Sequence, residues 1–381
     1  MKTSSSNAWS RFFKLVKLEK KDILQIFYYA IFAGALSLSL PLGVQAIINL
    51  IQGAQISSSW IILVVLVTLG VGFTGTLQIM QLRIIETLQQ RIFTRASFEL
   101  TYRFPKLKLD ALRKYYLPEL ANRFFDTLSI QKGLAKILID VPSALIQILF
   151  TLILLSLYHP FFILFGLGLV SLMFFVFQYT VRRGLETSLE ESKHKYRVAH
   201  WIQEIARSIV SFKLSAKSDF GLRKNDELVS DYLNARENHF QVIKLQYIKL
   251  IGFKITITAG LLIIGGALVL NQQMNIGQFV AAEIIILLTI ASVEKLIVSL
   301  ETLYDILTSI EKLGGLVDLA TEKQGGKELN PNSDFTIELK NIDYVVPEID
   351  KPILSGVNLK INPKDKILIR GISGSGKSSL L

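Results

Sequence analysis

A 381-residue chain with 50% hydrophobic content and a positive mean hydropathy cannot consist of soluble domains alone, because its long apolar segments must be kept from water. The formal net charge of +11 gathers on no DNA-reading motif, which argues against nucleic acid and makes membrane topology the better reason for the excess of Lys and Arg. The absence of cysteine excludes a disulfide framework, a thiolate metal site and a cysteine nucleophile.

Residues 1–22 form a basic leader carrying Lys2, Arg11, Lys14, Lys17, Lys20 and Lys21. Six apolar stretches near the length needed to cross a bilayer follow, at 23–51, 60–82, 137–157, 161–181, 250–270 and 277–300. The first is too long for a signal peptide and lacks a small-residue cleavage pattern, so it is predicted to be a true span, kinked at Pro41. Connections 52–59, 158–160 and 271–276 contain no Lys, Arg, Asp or Glu, whereas the leader and the stretches 83–136 and 182–244 are rich in basic residues. By the positive-inside rule both termini and both long stretches are cytoplasmic, in a multi-pass protein of the cell (inner, cytoplasmic) membrane. The long stretches mix charges with helix-period apolar residues such as Leu185 and Leu189 and lack Gly/Pro clusters. They are predicted to be membrane helices that continue beyond the bilayer and turn back.

Ionisable residues within spans are default functional candidates, here Lys254, Glu283, Glu294 and Lys295. Lys254 and Glu294 are equally far from a turn near Met274, about 30 Å at 1.5 Å per residue, and are predicted to pair. Glu283 lies about 14 Å from the same turn, level with Gly265, and has no such partner. Two readings stay open for it: contact with a cationic or polar substrate in a wet cavity, or a protonated or hydrogen-bonded carboxyl between helices. Gly34, Gly43, Gly70, Gly72, Gly75, Gly260, Gly265 and Gly266 are predicted to allow close helix packing.

After the sixth span a helix is predicted to run to about residue 320, followed by a Gly-, Asn- and Pro-containing linker at 321–334. From 335 the pattern changes to strands, at 335–344, 357–361 and 366–370. The last of these feeds Gly371-Ile-Ser-Gly-Ser-Gly-Lys-Ser-Ser-Leu-Leu381, a G-x-x-x-x-G-K-S phosphate-binding loop. Glycines permit positive φ and let backbone N–H groups approach phosphate oxygens, the lysine adds a point charge, and the serine hydroxyl can ligand Mg²⁺. The candidate ATP contacts are Gly371, Ser373, Gly374, Ser375, Gly376, Lys377, Ser378 and Ser379, with Ser378 as the Mg²⁺ ligand. A bare Gly/Ser turn is the competing reading, and the preceding apolar run with Lys377 and Ser378 in register weighs against it.

Six spans with long extensions, a linker and strands leading to this loop resemble an ATP-binding-cassette (ABC) exporter half-transporter, similar to bacterial peptide, toxin or lipid exporters. The loop from Ser373 to Leu380 follows the family's Ser-Gly-Ser-Gly-Lys-Ser-Thr-Leu, with Ser379 in place of Thr. The resemblance implies an α-helical membrane domain of six transmembrane helices over 23–320, then the first strands of an α/β P-loop nucleotide-binding domain over 335–381. It also implies short coupling helices near residues 117–123 and 200–207, and an aromatic residue stacked on adenine. Tyr344 occupies the first aromatic position of that pattern and Val346 stands where the stacking residue is expected, so Tyr344 is the candidate base contact.

The implied function is ATP-driven export, by a homodimer or a heterodimer with another half-transporter, in contact with membrane lipid and a transported peptide, protein, lipid or hydrophobic small molecule. The family's water-polarising acid, γ-phosphate-sensing Gln, signature motif and switch histidine all fall after position 381, so residues 1–381 alone are expected not to hydrolyse ATP efficiently. The alternative is a non-transporting membrane fragment whose phosphate loop only binds nucleotide or assembles with a partner.

Overall fold

In lipid every backbone N–H and C=O must be bonded within its own segment, and the apolar stretches meet that demand as helices. A computed structural model describes residues 2–53, 58–112, 115, 117–215, 219–322, 325, 335–345 and 352–381, in two separate compact units, Met1–Glu322 and Lys323–Leu381. Among these residues six helices are long and apolar enough to cross a membrane.

In the first unit the leader is itself a helix, α1 (Lys2–Leu18). Sequence reading took it only as a basic tail, yet Trp9, Phe12 and Val16 recur at helical spacing and Ala8 and Phe12 are buried. Two helices, α2 (Lys20–Ser37) and α3 (Ser39–Gln52), make the first span. The break at Leu38 is the predicted proline kink: Pro41 has no N–H to offer the carbonyl of Ser37, four residues back. The second span is α4 (Ser58–Arg103); short helices α5 (Leu109–Leu112) and α6 (Leu117–Asn122) then lead into α7 (Asp126–Tyr158), the third. Next come α8 (Phe161–Arg207), the short α9 (Ile209–Leu214) and α10 (Phe220–Gly260). One π-helical turn, Leu261–Gly265, joins α10 to α11 (Gly266–Leu270). The sixth span, α12 (Ile276–Val317), starts at a capping box in which the Asn275 side chain accepts from the N–H of Gln278 at 2.7 Å and Gln278 Oε1 accepts from that of Asn275 at 3.0 Å.

The central helix is α12: half of its apolar window is buried, against 11–28% in the other five. One core, with Leu155, Phe162, Leu250 and Ile285, lies toward the turns at 159 and 271–275; a second, with Ile26, Leu88, Leu134 and Tyr304, lies toward the long extensions. Of the eight glycines expected to permit close packing, four meet a neighbouring side chain at their Cβ position, Gly34, Gly43, Gly70 and Gly265, while Gly72, Gly75, Gly260 and Gly266 have open space there.

The leader is fastened at its middle and just beyond its C-terminal end. Arg11 donates to the carbonyl of Glu311 at 3.1 Å, to its carboxylate at 3.2 Å, and to Asp318, all on or beside α12. The buried Glu19, between α1 and α2, pairs with Arg91 at 3.5 Å and Arg95 at 2.9 Å on α4. Both arginines are half exposed, so Glu19→Ala is expected to cost about 1–2 kcal/mol and to release α1 to limited proteolysis before the rest unfolds.

In the second unit β1 (Ile337–Tyr344) and β2 (Leu354–Ile361) pair antiparallel, Ile337 opposite Ile361 and Tyr344 opposite Leu354, with two irregularities in register. The predicted strand at 366–370 is not formed: a strand exists only against a ladder of neighbouring N–H and C=O groups, and no described residue supplies one there. Val346 and the linker residues 323, 324 and 326–334 lie outside the described residues. The chain ends in a single helical turn, α13 (Lys377–Leu380).

Candidate functional site

The candidate phosphate loop is assembled by two glycines with left-handed backbone, Gly374 at φ 84° and Gly376 at φ 82°. Gly376 is doubly constrained, since a Cβ there would also press to 3.0 Å on the side chain and the carbonyl of Ile353. Lys377 folds back so that its ammonium donates to the carbonyls of Gly371 at 2.9 Å and Ile372 at 2.8 Å, closing the turn, and the N–H of Ser375 bonds to Ile372 O at 3.2 Å. The N–H groups of Gly374, Gly376, Lys377 and Ser378 donate to no described backbone acceptor, which leaves four donors and one ammonium around a single turn. That donor set fits an anion, and the exposed Ser378 hydroxyl beside it fits a Mg²⁺ ligand. Ser373 and Ser379 are also exposed on this segment.

Tyr344 is one strand away. A Cβ at Gly376 would stand 3.1 Å from the Leu354 side chain, and Leu354 is the residue opposite Tyr344. The end of β1 that carries the candidate base contact and the loop that carries the candidate phosphate contacts thus lie against the same end of β2.

In the helical unit the expected ion pair is present: Lys254 Nζ donates to Glu294 Oε2 at 2.6 Å, between α10 and α12. Glu283 is exposed and makes no hydrogen bond or ion pair among the described residues. It belongs to a stripe that the sequence spaces four residues apart, Glu283, Leu287, Ala291 and Lys295, all exposed on one face of α12 while Ala282, Ile285, Ile286 and Val293 are buried. Sequence reading missed the uncharged polar groups beside this stripe, Gln78 and Gln81 on α4 and Ser143 and Gln147 on α7. Their signal was an amide recurring in otherwise apolar runs. Short helices stand where the first coupling helix was expected, at α6, but residues 200–207 are the continuous end of α8. The second short helix is α9, because α8 runs unbroken until Ser208, whose φ of −101° and ψ of 27° leave helical geometry.

A model of the ABC transporter transmembrane region matches residues 23–293, which covers most of the chain. The chain belongs to this family. Among similar proteins, the alpha-hemolysin translocation ATP-binding protein HlyB of Escherichia coli O157:H7 is 34% identical over 116 residues, 30% of this chain and 16% of that protein. The ATP-dependent lipid A-core flippase of Burkholderia orbicola is 32% identical over 111 residues, 29% of this chain and 19% of that protein. The leukotoxin translocation ATP-binding protein LktB of Mannheimia haemolytica is 33% identical over 117 residues, 31% of this chain and 16% of that protein. Each alignment thus spans less than a fifth of the relative's length. This ABC transporter chain combines the family's six-helix membrane region with a short two-stranded antiparallel sheet consistent with the start of an α/β nucleotide-binding domain.

Proposed function

We propose that this ABC transporter chain is half of an ATP-driven exporter, working as a homodimer or with a second half-transporter. The observation that carries the reading is the pairing of a six-span region with a loop of four unbonded N–H groups and an ammonium, a donor set suited to the phosphates of a nucleotide. In that reading Gly371, Ser373, Gly374, Ser375, Gly376, Lys377 and Ser379 hold the phosphates of ATP, Ser378 holds Mg²⁺ and Tyr344 meets the base. Bound ATP supplies the free energy of phosphoryl transfer. The domains run as a leader at 1–22, a membrane domain at 23–320, a linker at 321–334 and the start of a nucleotide domain at 335–381. The short helices α6 and α9 carry motion from nucleotide domain to membrane helices. The exposed stripe of α12 faces the transport path, where Glu283 offers a carboxylate to polar or cationic groups. Peptides or proteins, lipids and hydrophobic small molecules are the substrate classes that suit such a path.

Export requires both termini and the phosphate loop on the cytoplasmic side. The native sequence has no cysteine, so single-cysteine mapping needs no prior removal. The exposed Asn271→Cys, in the 271–275 turn, is expected to react with a membrane-impermeant maleimide on intact cells, and Ser211→Cys, in α9, only after permeabilisation. The reverse pattern would put the nucleotide loop outside and end the export reading.

A further inference from the structure

The α12 stripe opens onto a cavity of about 240 Å³ between α2, α4, α7 and α12. Its polar lining includes Gln78, Ser143, Gln147, Ser292 and Lys295, and no Asp or Glu lines it among the described residues. Lys295 supplies the one charge among its described lining residues. The neighbouring carboxylate does not neutralise it, because Glu294 is taken by Lys254 at 2.6 Å. Glu283, on the same stripe, is twelve residues away, about 18 Å along the helix. Gln147 adds a second donor: its Oε1 accepts from the Ser37 hydroxyl at 2.7 Å, while its Nε2 is buried with no acceptor among the described residues. An amide N–H without a partner inside a membrane protein costs free energy that an incoming acceptor recovers. Apolar wall is contributed by Ala30, Ala33 and Leu288.

We infer that this cavity is a subsite for the anionic group of an amphipathic substrate, a phosphate or carboxylate held by Lys295 and the Gln147 amide with its apolar part against the alanine wall. The inference deepens the export reading and rests on the α12 stripe facing the transport path. A cation in this position would meet an ammonium and an amide donor but no carboxylate. The bland alternative is a lysine that reaches past the cavity to the membrane surface and binds nothing.

The test uses the chain in neutral phosphatidylcholine nanodiscs, with Lys377→Ala in every variant so that the phosphate loop does not contribute, and empty nanodiscs subtracted. Binding of octyl phosphate, octyltrimethylammonium and inorganic phosphate is measured by equilibrium dialysis. Octyl phosphate is expected to bind at least about tenfold more tightly than either other probe, the scale of one charge-assisted hydrogen bond. Lys295→Gln is expected to erase that preference, Lys295→Arg to keep it, and Lys254→Gln, which breaks the neighbouring pair, to leave it in place. An unchanged thermal midpoint for Lys295→Gln establishes that the variant is folded. Octyl phosphate binding that survives Lys295→Gln, or equal binding of octyltrimethylammonium, overturns the subsite; equal binding of inorganic phosphate overturns its amphipathic character. These readouts involve no ATP-driven step and no topology measurement. Failure here therefore leaves the export reading standing, and reversed cysteine labelling would end that reading whatever octyl phosphate does.

Discussion

Replacing Lys377 by alanine is expected to weaken Mg²⁺–ATP binding by about 10–100-fold, because a charge-assisted hydrogen bond contributes about 1.5–3 kcal/mol and each 1.4 kcal/mol is a decade in affinity. Two effects add at this residue. The ammonium places a positive charge at the loop, and it also ties together the carbonyls of Gly371 and Ile372, so its removal loosens the turn that presents the N–H groups. Lys377→Arg separates them: it keeps the positive charge, but its planar fork does not reproduce a compact point charge over two carbonyls, and an intermediate loss is expected. Lys366→Ala, in the preceding segment, serves as the control for general charge. The measurement is equilibrium binding of a fluorescent ATP analogue to the purified chain at fixed ionic strength, since salt screens such contacts. In inside-out vesicles of the intact transporter the same substitution is expected to abolish ATP-dependent flux. Wild-type nucleotide affinity in Lys377→Ala would remove the loop from the nucleotide site.

The spans were legible because hydropathy responds to a demand that no tertiary context can override: backbone polar groups in lipid must be bonded locally. The long extensions were legible for a related reason, since Leu185 and Leu189 keep helical spacing past the last apolar residues of the fourth span. Equal distance from one turn was enough to pair Lys254 with Glu294. The failures are equally physical. The leader looked like a charged tail because its apolar face, Ala8 and Phe12, is small and its value depends on α12 being there to cover it. The run at 366–370 has strand composition, yet pairing is a property of two segments and composition describes one. The second short helix was misplaced by a few residues because nothing in residues 200–207 forbids helix, and the turn at Ser208 carries no Gly or Pro to mark it. Half of the glycines expected to seat close helix contacts face open space, since small size permits approach without requiring it. The backbone of the loop was legible, because the glycines of the motif are the residues that take positive φ without strain, as Gly374 and Gly376 do.

Gly184→Val is expected to destabilise the helical unit severely. A Cβ on Gly184 would stand 2.5 Å from Cε2 and 2.6 Å from Oη of Tyr304, which is fully buried. The ring cannot retreat freely, because it is held by a polar network spanning three helices. Gln246 Nε2 on α10 donates to Tyr304 Oη at 2.8 Å, Tyr304 Oη lies 3.3 Å from the carbonyl of Thr180 on α8, and His239 packs edge-on at 6.0 Å. The His239 ring in turn is 2.8 Å from the Thr187 hydroxyl, one turn beyond Gly184 on α8. Moving Tyr304 therefore adds overpacking, about 1–3 kcal/mol, to the loss of buried hydrogen bonds, about 1–3 kcal/mol, for an expected total of about 2–6 kcal/mol. Gly184→Ala is expected to cost less, because one methyl group displaces the ring by less than an isopropyl group does. Coupling distinguishes this cause from a general intolerance of α8 to larger residues. Tyr304→Ala alone leaves a cavity at an expected cost of about 3–5 kcal/mol, but in that background Gly184→Ala fills vacated space and is expected to be neutral or stabilising. Thermal midpoints of the four proteins in one detergent complete the cycle. Additive losses would show that Gly184 is required for something other than room for Tyr304. Non-additivity would instead assign to this glycine the close approach of α8 to α12 that allows a tyrosine and a histidine to be buried between them.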